Sequence, residues 1–292
     1  MSKGRDRRSE IKAICEASDV VIMCLGLDSG LEGEEGDQGN EFASGDKQSL
    51  DLPGKQQEIL EFAYECGKPV VLVLLSGSAL AVNWADEHIP AIVQGWYPGA
   101  QGGRAIARVL FGDKNPEGRL PVTFYRTLEE LPEFTDYSMQ GRTYRYMKNE
   151  ALYPFGYGLS YTDFEYGDAT VSSHVIGTEG IELKVTVTNT GSREGTETVQ
   201  VYVKADRDGT PNAQLKGIRK VSLMPGESKE ISVSLPLSAF ALYDEQAVNR
   251  VEKGQYLIFA GGSQPDERSR KLTGKKIRAI AVTAQADFPV EN

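Results

Sequence analysis

The hydrophobic period changes once along this 292-residue chain, and that change most constrains the fold. From Asp19 to about Phe124, short apolar runs alternate with stretches of helical period. "DVVIMCLG", "KPVVLVLLSG" and "IPAIVQGWYPG" read as buried strands. "PGKQQEILEFAYECG", "SALAVNWADE" and "AQGGRAIARVLFGD" read as helices, the first with Pro53 near its start and Gly67 at its end. "GRLPVTF" reads as a short edge strand. Such alternation predicts a mostly parallel sheet covered by helices on both faces, an α/β sandwich. From about Phe164 the period becomes two, in "IELKVTVTNTG", "TETVQVYVKA", "KGIRKVSL", "SKEISVSLP" and "GQYLIFAGG". Strands at roughly ten-residue spacing, with turns between them, predict an antiparallel β-sandwich. The expected organisation is an α/β domain over 1–130, a linker over 131–163, an all-β domain over 164–285 and a tail over 286–292. The linker holds six tyrosines, with a seventh, Tyr166, just beyond it, where a flexible connector would be rich in Gly and Ser. It is therefore expected to be ordered and packed against the first domain.

Composition excludes several partners. The formal net charge of −10 disfavours nucleic acid and anionic membranes, which need a basic face. No apolar run reaches the roughly 20 residues of a membrane helix, and the charged start "MSKGRDRRSEIKAICEASD" has no apolar core of a signal peptide. Three cysteines, Cys15, Cys24 and Cys66, lie in or beside apolar segments without metal-ligand spacing. An odd number without a framework is expected of reduced, buried thiols in a cytoplasmic protein.

The acidic stretch "GLEGEEGDQGNEFASGDKQSLDLPGKQQ" (Gly30 to Gln57) directly follows the first predicted strand. It carries Glu32, Glu34, Glu35, Asp37, Glu41 and Asp46 in a glycine-rich context that cannot be a regular element. In open parallel sheets, ligands bind beyond the strand carboxyl ends, where this loop lies. Clustered carboxylates raise one another's pKa, as a general acid requires, and glycosidases use a pair of carboxylates around the scissile bond. A solvated acidic loop fits the same composition. A calcium loop fits less well, because Asp37-Gln38-Gly39-Asn40-Glu41 lacks the alternating ligand spacing of an EF-hand. "GWYPGAQGGRA" lacks both the P-loop ending and the dinucleotide spacing, so its glycines read as a tight turn rather than a nucleotide site around Gly99–Arg104. Trp96 and Tyr97 suit either sugar stacking or the core. His88 and His174 stand alone, and Ser76 and Ser78 form no nucleophile elbow. Neither a metal nor another cofactor is expected.

Several segments in order resemble glycoside hydrolase family 3, the β-glucosidase and β-xylosidase group. They are "VVIMCLGLDSGLEGEEGDQ", "GDKQSLDLPGKQQEIL", "KPVVLVLLSGS", "IVQGWYPGAQGGRAIARVLFGDKNPEGRLPVTF", "GRTYRY" and "LYPFGYGLSYTDFEY". "VTVTNTGSREGTETVQVY" and "LKGIRKVSLMPGES" resemble the fibronectin type III-like domain that often follows in that family. The resemblance implies an α/β sandwich followed by an all-β fibronectin type III-like sandwich, and a retaining β-glycosidase activity on a carbohydrate substrate, either a β-linked oligosaccharide or an aryl glycoside. It implies an acid/base glutamate from the acidic loop. Glu34 is the best match to the family's Glu-Gly-x-Asp-type segment, Glu32 is its rival, and Glu35 fits less well. The family's Asp-Arg pair is replaced by Asp46-Lys47 after the insertion "GDQGNEFASGDK". The family's nucleophilic aspartate lies on a (β/α)8 barrel of about 250 residues, for which these 292 residues have no room. The barrel is expected on another chain or in a longer form of this one. The alternative is a noncatalytic carbohydrate-binding or scaffold module that keeps the fold.

Overall fold

The computed structural model describes residues 7–28, 31–32, 47–244, 246–275 and 277–290. The chain forms two compact units. The first holds residues through Phe111 together with Phe124–Leu131, and the second holds Gly112–Thr123 with everything from Pro132 onward.

In the first unit, helix α1 (Arg8–Glu16) lies in the charged start, where sequence reasoning placed no element. Then follow β1 (Val21–Gly26), α2 (Gln56–Glu65), β2 (Val70–Leu75), α3 (Asn83–His88), β3 (Ala91–Gln94) and α4 (Gly102–Leu110). The strands pair in parallel in the order β1-β2-β3. The central strand, "VVLVLL", is apolar throughout because helices and loops bury both of its faces. Helix α2 starts three residues after Pro53, since Gly54 turns the chain at positive φ first, and Gly67, φ +77°, follows its C-cap Cys66.

Three expectations need correction. The sheet is not covered on both faces at β1, where Ile22 stays 46% exposed and Cys24 is exposed in a strand that alternates inside and outside. The thiols are therefore not uniformly buried: Cys15 is buried, Cys66 half-buried and Cys24 exposed. Finally, "GRLPVTF" forms no strand. Leu120 exchanges backbone hydrogen bonds with Gly156 and Tyr157, but Pro121 has no N–H with which to continue a ladder.

The second unit is a β-sandwich. One sheet has the order β13 (Ala279–Ala284), β12 (Gly254–Gly261), β7 (Gly195–Ala205), β8 (Gln214–Leu223), all antiparallel. In the other, β6 (Ile181–Asn189) pairs with β9 (Ser228–Leu235), β4 (Phe164–Tyr166) and β5 (Thr170–Val171). Inward residues of both sheets, such as Leu183, Val185, Val201, Val203, Leu235 and Ile258, form one core. A small sheet of β10 (Leu242–Tyr243), β11 (Asn249–Val251) and β14 (Phe288–Pro289) lies beside it in the chain, with helix α6 (Glu267–Thr273) following β12.

The tyrosine-rich linker is ordered but sits on this second unit, not on the first domain as expected. After the short helix α5 (Thr143–Tyr146), Tyr144 stacks on Phe155 at 4.1 Å, and both rings meet the edge or face of Tyr202 on β7. Gln200 donates to the Gly156 carbonyl at 2.9 Å and accepts from Tyr202 Oη at 2.6 Å. The outward face of β7 is thus polar yet buried, and the linker's aromatic rings are what bury it. Beside it, Glu197 accepts from Arg119 at 2.8 Å and from Tyr166 at 2.9 Å.

Candidate functional site

The acidic loop leaves the carboxyl end of β1 at Gly26, and the backbone there allows only glycine. Its φ is +128°, and a Cβ would stand 2.1 Å from the Leu75 carbonyl oxygen. Gln56, the first residue of α2 and 7% exposed, clamps this point. Its Oε1 accepts from Gly26 N at 2.6 Å and its Nε2 donates to Gly26 O at 2.8 Å. Leu27 N adds a bond to Leu75 O at 2.7 Å, so the sheet extends just past β1. Asp28 then turns the chain, its side chain accepting from Leu31 N at 2.9 Å and its carbonyl from Glu32 N at 2.8 Å.

That turn brings Glu32 over the ends of β2 and β3. Tyr97 Oη donates to Glu32 Oε2, and Ser78 Oγ approaches Glu32 Oε1 at 3.4 Å. Burial, together with the carboxylate it donates to, pushes the Tyr97 hydroxyl up to about 12. Gly77 makes room for the pair: a Cβ there would lie 2.9 Å from the Tyr97 ring and 3.2 Å from Glu32 Oε2. The loop after β2 is fixed by Ser76 Oγ donating to Ser78 O at 2.7 Å and by Gln94 from β3 donating to Ser76 Oγ at 3.2 Å. Where the chain is described again, Lys47 donates to Ala79 O at 2.9 Å. Burial lowers the Lys47 ammonium below its ordinary range, and the Glu32 charge opposes that shift.

Of the sequence-predicted residues, Glu32 is brought to this cluster. Glu34, Glu35, Asp37, Glu41 and Asp46 lie outside the described residues. Trp96 meets Phe124 edge-on at 6.2 Å, as a core wedge would, whereas Tyr97 is 49% exposed and holds Glu32. In "GWYPGAQGGRA", Gly99 turns the chain at φ +68°, and Gly102 serves packing, since a Cβ there would lie 2.3 Å from Pro98 Cγ. His88 stacks on Trp84 at 4.4 Å, and His174 bonds the Ala281 carbonyl, so neither joins the cluster. Sequence reasoning missed the Glu32–Tyr97 and Gln56–Gly26 pairs. The first spans 65 residues and the second 30, and no local spacing signals either.

The arrangement is a tethered acidic loop at the carboxyl end of a parallel sheet. Glu32 holds it to Tyr97 and Ser78, and the remaining carboxylates follow in sequence. Residues 4–161 match the family model of the glycosyl hydrolase family 3 C-terminal domain, and residues 197–264 match that of the fibronectin type III-like domain. A xylan 1,4-β-xylosidase of Xylanibacter ruminicola is 44% identical over 259 residues, covering 87% of this chain and 30% of that protein. A periplasmic β-glucosidase of Salmonella typhimurium is 36% identical over 259 residues, 84% of this chain and 33% of that one. A β-glucosidase structure from Erythrobacter marinus superposes with a TM-score of 0.80 at 34% identity, covering 95% of this chain and 36% of its own. The chain spans about a third of the length of these relatives.

Proposed function

The chain belongs to glycoside hydrolase family 3, and from that premise we propose that it supplies the acid/base loop of a retaining β-glycosidase acting on β-xylosides or β-glucosides. Glu34 is the acid/base. The observation that carries this reading is the occupied carboxylate of Glu32, with Tyr97 Oη on one oxygen and Ser78 Oγ beside the other. A general acid must offer its proton to substrate, whereas Glu32 is spent on fixing the loop, two residues before Glu34. In the first step Glu34 protonates the departing glycosidic oxygen while an aspartate of the family's barrel domain, outside these 292 residues, attacks the anomeric carbon. In the second it deprotonates water, which displaces the aspartate.

The test is a chimera in which this chain replaces the matching segment of the Xylanibacter ruminicola xylosidase. Wild-type chimera should hydrolyse aryl β-xylosides. Glu34→Gln should lower turnover about 10²–10⁴-fold on substrates with poor leaving groups, and much less on a dinitrophenyl leaving group that needs no proton. Full activity of Glu34→Gln on poor leaving groups would sink the assignment. If Glu32→Gln alone reproduced that leaving-group pattern, the acid would be Glu32.

A further inference from the structure

The second unit holds a cavity of about 370 Å³ that no step above uses. Its floor is the outward face of β7 and β12, with Lys204 opposite Leu257 and Phe259 one position further along that face. The linker from Tyr144 to Ala151 forms one wall, and the segment from Gln264 into α6 forms the other. The walls are tied in place. Asn212 Nδ2 donates to the carbonyls of Tyr144 at 3.0 Å and Met147 at 2.8 Å, and Arg268 Nε donates to Leu152 O at 3.1 Å. Lys271 pairs with Glu150 at 2.5 Å. The space is therefore preformed, and its volume is at the small end of ligand sites, which run from about 300 Å³ upward.

The lining is mixed in a particular way. Tyr144 and Phe259 offer aromatic surface. Gln264 brings an amide in a residue only 7% exposed. Asp266 accepts from Ser269 N at 2.6 Å, which leaves a carboxylate with acceptor capacity to spare. Burial holds that carboxyl above its ordinary range, against the Ser269 bond. The other two lining carboxylates, Glu150 and Glu267, are already paired with Lys271 and Arg270. Three lining cations, Lys148, Lys204 and Arg268, balance the three carboxylates, so rings, an amide and a lining of no net charge suit a neutral ligand with apolar C–H faces and many hydroxyls, and neither a phosphate nor a hydrocarbon.

We propose that this cavity binds a neutral saccharide of one or two rings, giving the type III-like unit a sugar subsite of its own. The choice of a saccharide over another polyol rests on the glycosidase reading, but the cavity and its binding do not depend on turnover. The experiment is saturation-transfer NMR on the full 292-residue chain, titrated with xylobiose and with cellobiose. Asp266→Asn, which keeps the oxygen that accepts from Ser269 N, and Phe259→Ala are compared with Glu32→Gln/Glu34→Gln, and thermal melts check that each is folded. Saturable transfer to the wild-type chain is expected, weakened about threefold in Asp266→Asn and about tenfold in Phe259→Ala, and unchanged in the double glutamine variant. No saturable transfer, equal affinity in both cavity variants, or loss in the glutamine variant would each overturn the proposal. If Phe259→Ala does not fold, the isosteric Asp266→Asn decides alone. Turnover of the chimera is a separate readout, so either reading can fail while the other stands.

Discussion

Gln56→Glu changes one atom and should detach the root of the acidic loop. The amide of Gln56 accepts from Gly26 N and donates to Gly26 O, at 2.6 and 2.8 Å, in a buried setting. A carboxylate keeps the first contact and turns the second into two opposed acceptors at the same separation. One buried carbonyl loses its donor, and a charge is buried in place of a neutral amide. Together these cost about 2–4 kcal/mol at pH 7. The protonated carboxyl can donate again, so the loss depends on pH. Burial and the facing carbonyl raise the variant's folded-state pKa above the unfolded value of about 4.3. The stabilising form is thus fully present below pH 4 and lost as pH rises towards neutrality. The assay is urea unfolding followed by tryptophan fluorescence. Both tryptophans, Trp84 and Trp96, lie in the first unit, so the signal reports the unit that contains Gln56. At a urea slope of about 1.5 kcal/mol/M the midpoint should fall by about 1–3 M at pH 7 and recover most of the way at pH 4.5, each relative to wild type at that pH. A pH 7 loss under about 0.5 kcal/mol, or a loss independent of pH, would refute the clamp.

The remaining predictions concern the tether and the second unit. Ultraviolet titration of the tyrosines should lack one step in Tyr97→Phe, and the missing step should fall at about pH 12 rather than near the ordinary value of 10. Since that folded-state pKa is raised, the Glu32–Tyr97 contribution to stability is present below pH 10 and lost as pH climbs through about 12. A missing step at pH 10 would mean the contact does not form in solution. Arg119→Met should destabilise the second unit by about 3–5 kcal/mol, because Glu197, 3% exposed, would lose its only cationic hydrogen-bond partner among the described residues. Near-ultraviolet dichroism, dominated there by buried tyrosines, checks it, and a shift under about 1 kcal/mol would contradict the network. In the chimera, Tyr97→Phe should lower kcat more than it raises KM, since it loosens the acid rather than a substrate contact.

How far the fold could be read depended on the range of the interaction behind each element. The strands β1 to β3 and β6 to β9 announced themselves because burial imposes a period on residues next to one another. Helix α1 did not, because its charged sequence hides an amphipathic pattern with Cys15 as its one buried residue. The failure at "GRLPVTF" was avoidable: Pro121 interrupts any ladder there, and that is a local fact. The linker's order was legible from its tyrosines, but not its docking side, since an aromatic ring does not say which surface it will cover. Tyr202 and Gln200 settle that, and both look like ordinary strand residues in sequence.

The acidic loop gives the sharper lesson, since sequence explains why its charges could serve chemistry but not how a chain tolerates them. Glu32 shows how one is accommodated. A tyrosine 65 residues later, just beyond the end of β3, supplies a proton donor that keeps its proton up to about pH 12, far above the range in which carboxylates ordinarily ionise. A lysine or arginine in that place would hold Glu32 more strongly, but its field would also favour the charged form of neighbouring carboxylates. A general acid two residues away needs the opposite, a site where the proton stays on. A neutral donor anchors the loop without lowering the pKa of its neighbours, and Lys47, a cation that feels the Glu32 charge, is committed to the Ala79 carbonyl with its own ammonium weakened by burial. Replacing Tyr97 by Lys therefore gives the discriminating experiment for Glu34. The loop should stay anchored, with stability near wild type, while the acidic limb of the chimera's pH profile is unmoved and the basic limb shifts to lower pH, as Glu34 loses its proton earlier. A basic limb that stays in place in Tyr97→Lys would mean that the working acid lies beyond the reach of this tether.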